Sequence, residues 1–228
     1  MNCILGAKEQ NAWIDAAEAT RLLAGTQRAA LWAELSGAEQ EQAILDVTPD
    51  VQTLTWRGKA IFEDQPWALP TDQLGGIFSV TAERGSTENV LPLAAAASLL
   101  TTDMAGGAAH LIGPTDDEEY RGAAAILAFD RSASRLRLGK GFRTPLAGKS
   151  LLLLAPLPIA VRRALAFQAV DRGAVRRHRD LADAVHRGVE SFGEGIAARD
   201  RAGRMLWSVD AYWLVAPYLE RGLRIERG

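Results

Sequence analysis

The sequence predicts a mainly α protein, a helical core interrupted by an inserted α/β segment. Three observations lead there. Asp15 with Glu18, and Ser36 with Glu39, have the spacing of capping boxes, and each opens an apolar run of helical period. Helical spacing resumes at Pro158 and again after Ser208. Between them, short β-branched and alternating runs separated by turn residues read as strands. The expected organisation is therefore a helical core from residues 1–70 and 158–228, ending in an arm, with 71–157 inserted.

Each element follows from local chemistry. After Asp15, apolar residues at Ala19, Leu22 and Leu23 line one face, and Gly25 supplies the stop. After Ser36, the positions Ala43, Ile44, Val47, Val51 and Leu54 keep helical spacing through Pro49, which predicts one kinked helix. Residues 58–70, punctuated by Pro66 and Pro70, read as an irregular connection. Residues 77–81, 124–129, 135–138 and 151–155 are strand candidates, with 130–134 as a hairpin turn. The alanine-rich stretch 91–104 reads as helical. Pro158 suits a first helical turn, and Val161, Leu165, Phe167 and Val170 form an apolar side up to Gly173. Residues 176–186 either extend that helix or form another, and 189–192 make a possible short strand. A last helix begins at Ser208 and meets Pro217, and the tail 223–228 alternates apolar and charged residues like an extended arm.

Composition bounds the class. With 228 residues, 48% hydrophobic and 24% charged, the chain can build a sizeable core. The lone Cys3 has no disulfide or metal-ligand partner, which favours a reducing compartment. No secretory signal is expected from residues 1–8, and the apolar run 151–161 is too short to span a bilayer. Charge is unevenly spread. Residues 1–130 hold 7 Lys/Arg against 19 Asp/Glu, giving −12, while 131–228 hold 19 against 9, giving +10. Such halves either attract within one fold, meet between subunits, or turn a basic face to DNA.

No catalytic grouping is visible. His110 stands alone, and His178 and His186 are eight apart among arginines, where a helical metal pair needs four. Gly139-Lys140-Gly141 and Gly193-Glu194-Gly195 lack phosphate-loop and dinucleotide spacing. The acidic run 116–119 reads as a solvated charge cluster. Nothing sets a nucleophile, a base and an orienting group together, so no catalytic, metal or cofactor residues are assigned and no enzyme is expected. Arg172, Arg176, Arg177 and Arg179, with Arg162 and Arg163 upstream, form a basic cluster able to meet phosphates without sequence preference. No aromatics interleave with it, as a single-strand stacking platform requires.

Several blocks carry a resemblance. Trp13 to Ala19, then Trp32 to Gln40, Ala43-Ile44-Leu45, Trp56-Arg57-Gly58 and Gln65 to Pro70 follow one another in the order and spacing of a known family. Pro158-Ile-Ala-Val161 and Ala216-Pro217-Tyr218-Leu219 match its later helices. The family resembled is that of tailed-phage virion proteins often labelled "DnaT-like single-stranded DNA-binding", similar to the head-completion adaptors of siphophages. This chain departs from it by the insertion of about 87 residues, by Trp67 standing where a tryptophan just before Pro70 is expected, and by Pro49. The resemblance implies a virion protein at the head–tail junction, made in the host bacterial cytoplasm. It implies a ring, commonly of twelve copies, that binds the portal and a tail-side connector and passes double-stranded DNA. Tyr218, Leu223, Arg224 and Ile225 would then contact the portal or a neighbouring copy, and the four arginines would face DNA, with no membrane partner. The alternative is the label's own reading, a single-stranded DNA-binding protein of a replication system.

Overall fold

In the computed structural model, residues 1–63, 65–87, 89–93, 100, 104–112, 122–140, 142, 146–177 and 207–220 are described, with the backbone alone for 174–177. They fall into two compact units. One comprises Met1–Asn2, Asn11–Arg57 and Ile159–Gly228, the other Cys3–Gln10 and Gly58–Pro158. The connection 58–70 thus groups with the second unit rather than with the helices.

The first unit is helical. Asp15 accepts a hydrogen bond from the Glu18 N–H at 2.7 Å and starts α1 (Ala16–Leu23). Helix α2 (Arg28–Glu34) has no start signal in the sequence, because Gln27 at its N-cap makes no side-chain bond. It is held instead by Trp32, buried, whose indole N–H donates to Thr20 Oγ1 at 2.9 Å. A reciprocal capping box between Ser36 and Glu39 opens α3 (Gly37–Gln52), which runs through Pro49 as a single helix. Helix α4 (Ile159–Arg177) packs against α1, α2, α3 and α5 (Val209–Val215), and a 3-10 turn (Ala216–Tyr218) follows α5. Helix α4 continues past Gly173, so residues 176 and 177 extend it. A Cβ on Gly173 would lie 2.5 Å from Leu35 Cδ1 and 3.4 Å from Ala43 Cβ, so the glycine permits close approach of the helices. The possible strand at 189–192 lies outside the described residues.

The second unit corrects the mainly α expectation. With 34% helix and 21% strand, and a six-stranded antiparallel sheet curled into a half-barrel, the fold is α/β. The strands are β1 (Ile77–Thr81), β2 (Val90–Pro92), β3 (Ala108–Ile112), β4 (Ala123–Asp130), β5 (Arg135–Leu138) and β6 (Ser150–Leu154), in the order β1-β6-β3-β4-β5-β2. Residues 91–104 are not one helix, since Leu91 and Pro92 lie in β2. Residues 94–99 and 101–103 lie outside the described residues. Strand β3 escapes sequence reading because four of its five residues are buried, so no apolar–polar alternation marks it. Just before it, a Cβ on Gly107 would meet the Leu154 carbonyl oxygen at 2.1 Å, a backbone contact only glycine allows. The β4–β5 turn is an Asx arrangement. Asp130 Oδ1 accepts from the Ser132 hydroxyl and the Ala133 N–H, which holds its carboxyl below the usual range. The core gathers Leu91, Leu93, Ile126, Leu136, Leu151 and Leu153 from four strands and their flanks.

Loop 58–70 is organised by one side chain. Gln65 Oε1 accepts from the Ile61 and Phe62 N–H groups, and its Nε2 donates to the Trp67 and Pro70 carbonyls. Trp67 Nε1 in turn donates to the Gln10 carbonyl at 2.6 Å. The N-terminal segment is also held by His110 on β3, whose Nε2 lies 2.6 Å from the Leu5 carbonyl oxygen while Phe62 covers its ring at 4.5 Å. A carbonyl only accepts, so Nε2 carries the proton. Burial lowers the His110 pKa below its ordinary 6.5, partly opposed by the Leu5 hydrogen bond. The unfolded chain therefore binds the proton more readily, and stability rises with pH. His110 contributes fully above about pH 6.5, and its contribution is lost as pH falls below that toward the folded value. Urea unfolding between about pH 7.5 and 5.5 should show this slope, and His110→Gln, which keeps a donor for Leu5, should flatten it. An equal slope in both proteins would remove His110 as its source.

Candidate assembly interface

The helical unit is tied together by a buried carboxylate. Asp50, on α3, is 3% exposed. Its Oδ2 accepts from Gln168 Nε2 at 2.7 Å and from Arg172 Nε at 2.9 Å, and its Oδ1 from Arg172 Nη2. Its backbone carbonyl accepts from the indole of Trp207 at 3.0 Å. Gln168 Oε1 then accepts from the Ser208 N–H at 2.9 Å. The point where the described chain re-enters, Trp207-Ser208, is thus fastened to α3 and α4 at once. Ser208 next caps α5 through the Ala211 N–H.

A second junction centres on Arg28 of α2. It pairs with Asp171 on α4 and with Asp210 on α5 at 2.8 Å, and lies 4.6 Å over the Phe167 ring. Burial works against its charge, but the two carboxylates outweigh that and hold the guanidinium above its usual value. On α1, Glu18 accepts from Arg162, and the Leu22 carbonyl accepts from Arg163 at 3.5 Å. Part of the charge asymmetry is therefore satisfied inside this unit, where Glu18 and Asp50 of the acidic half meet Arg162 and Arg172 of the basic half.

The C-terminal end is fastened by main-chain bonds. Leu219 bridges antiparallel to Trp56. The Arg57 N–H donates to the Tyr218 carbonyl at 3.0 Å, Arg57 Nε to the Leu219 carbonyl at 2.8 Å, and the Glu220 N–H to the Thr55 carbonyl at 2.9 Å. Residues 218–220 therefore lie alongside the strip 55–57 within the helical unit.

Of the residues expected to contact a partner, Tyr218 is half-buried in the 3-10 turn. Leu223, Arg224 and Ile225 lie outside the described residues. Of those expected to face DNA, Arg172 is engaged with Asp50, Arg176 and Arg177 occupy the end of α4, and Arg179 lies outside the described residues. Trp213, 56% exposed on α5, is a surface aromatic the site assignment had left out. Helical period finds it only once the inward side of α5 is known. Ala211, Tyr212 and Val215 face inward, which sets Asp210, Trp213 and Pro217 on the outer side. Leu31 on α2 and Ile159 on α4 are further exposed apolar residues of this unit. Among the described residues, no group of three or more His, Cys, Asp or Glu could hold a metal ion, and no helix is long and apolar enough to cross a membrane.

Compared with family models, curated proteins and solved structures, the chain matches none of them.

Asp50→Ala should destabilise the helical unit by about 3 kcal/mol, because it strands Arg172 and Gln168 without their acceptor. The lower end of that range applies because the Arg172 side chain is 34% exposed and water can rescue part of it. A shift of under about 1 kcal/mol in denaturant unfolding would mean the pair is merely superficial.

Proposed function

We propose that this chain is a structural virion protein, an adaptor that forms a ring between the capsid portal and the tail and lets DNA pass. One observation carries the reading. Most of the blocks that resemble the adaptor family, though split by about a hundred residues, lie in a single compact helical unit: Trp13 to Ala19, Trp32 to Gln40, Trp56-Arg57 and Ala216 to Leu219. Gln65 to Pro70 groups with the sheet instead, as do Gly58 and Pro158 at the edges of their blocks.

The placement of the chain's end supports the same reading. Residues 218–220 are held along 55–57, so the eight residues that follow start from a fixed point. In this proposal the tail is an assembly arm on the portal or a neighbouring copy. Leu223 and Ile225 supply its apolar contacts, Arg224 a charge, and Tyr218 with Trp213 flank its root. The ring is expected to hold twelve copies, with a tail-side connector below. DNA contact, carried in this reading by Arg176, Arg177 and Arg179, would be non-specific and salt-sensitive.

Removing residues 223–228 tests the arm. The truncated protein should stay folded and soluble, with an unchanged unfolding midpoint, yet fail to join heads to tails in a complementation assay. Infectious particles at the normal yield would contradict the proposal.

A further inference from the structure

The two edges of the sheet are finished in opposite ways. At the β2 edge the groups that face away from β5 belong to Val90 and Pro92, since Asn89 and Leu93 bond toward β5 and its turn. Val90 is closed by Thr87: its N–H donates to Thr87 Oγ1 at 3.1 Å and its carbonyl accepts from the Thr87 N–H at 2.9 Å. Pro92 has no N–H to offer. This edge is short and, among the described residues, offers a new strand no free N–H.

The β1 edge differs. Gly76 and Ala82 bond across to Ala155 and Lys149, so by alternation Phe78 and Val80 also bond to β6. The N–H and C=O groups of Ile77, Ser79 and Thr81 then point away from the sheet, and among the described residues no strand pairs with them. All three side chains are exposed. Natural edges of this length are normally blunted by charge, proline or a bulge. From Gly75 to Ala82 this one carries no charged residue and no proline, and its register with β6 is regular.

We propose that the β1 edge pairs with the β1 edge of a second copy, antiparallel about a two-fold axis through Ser79. The strand is self-complementary in that register. Ile77 faces the partner copy's Thr81, Ser79 faces Ser79, and each exchanges both main-chain bonds, because these are the residues whose groups point outward. Phe78 and Val80 lie opposite each other across the seam, extending the apolar face that already packs on the core. No like charges meet, as they would on most edges. The β2 edge, with no free N–H among the described residues, removes the head-to-tail alternative, in which β1 of one copy adds to β2 of the next. A two-fold pair closes on itself and does not propagate round a ring. The pairing is therefore a property of the free protein, beyond the adaptor reading and independent of it.

Sedimentation of the full chain at up to about 100 µM should show a dimer, a concentration chosen because a five-residue edge makes a small, weak interface. Ser79→Pro removes an outward N–H and leaves the β6 bonds intact, so it should weaken pairing about tenfold or more. Ser79→Lys places like charges opposite each other, and its loss of pairing should be partly reversed by salt. Register is read by oxidation in a Cys3→Ser background. Ser79→Cys should cross-link two copies, whereas Thr81→Cys, offset from itself across the axis, should not. A monomer at every concentration overturns the inference, as does a dimer indifferent to both Ser79→Pro and Ser79→Lys. Cross-linking by Thr81→Cys as efficient as by Ser79→Cys overturns the register. A Ser79→Cys protein that fails to cross-link in the free state yet still assembles rings would refute the pairing and leave the adaptor reading standing.

Discussion

A buried carboxylate is costly unless every lone pair is answered, and Asp50 is answered from two directions at once. Gln168 and Arg172 approach along α4, while the Trp207 indole takes the backbone carbonyl of the same residue. The result links three parts of the chain that are distant in sequence. Because Gln168 also accepts from the Ser208 N–H, the start of α5 depends on the side chain that satisfies Asp50. Burying such a group is weak evidence for net stability, since an apolar cluster could pack as well. Its value lies in specifying one arrangement: α5 has one place to begin, and the position of residues 218–220 follows from it.

Arg28 repeats the device across α2, α4 and α5, with Asp171 and Asp210 as partners and Phe167 beneath. Together the two junctions explain why short helices such as α2 and α5, of 7 residues each, hold their shape. Isolated helices of that length are marginal in water. The arginines that look like a nucleic-acid patch in the sequence are in part these internal partners. Arg162 and Arg172 serve carboxylates before they could serve phosphates.

The helices were the legible half of the sequence. Asp15, Ser36 and Ser208 each cap the helix their side-chain chemistry predicts, and the turn at 130–134 joins β4 and β5 where the Asp-Arg-Ser pattern places it. What could not be read has physical causes. Helix α2 lacks a capping side chain, β3 is buried along nearly its whole length, and β2 is only three residues long and ends in a proline. Missing those strands led to a mainly α expectation for an α/β fold. Gly173 left the end of α4 open, because a glycine that ends a helix and one that lets two helices approach look alike in one dimension. Near the candidate interface, the end of the last helix at Pro217 was legible from the sequence. The exposure of Trp213 required knowing which side of α5 faces inward, and the engagement of Arg172 required the long-range meeting with Asp50.

Hydrogen exchange on an Asp50→Asn variant tests the central claim most directly, because asparagine keeps the shape of the side chain and removes its charge. If Asp50 fixes the place where α5 begins, the amides of α5 and residues 216–220 should exchange about tenfold faster or more, while those of β3 and β6 keep their protection. Unchanged exchange in α5, or an equal loss of protection in both units, would contradict the account.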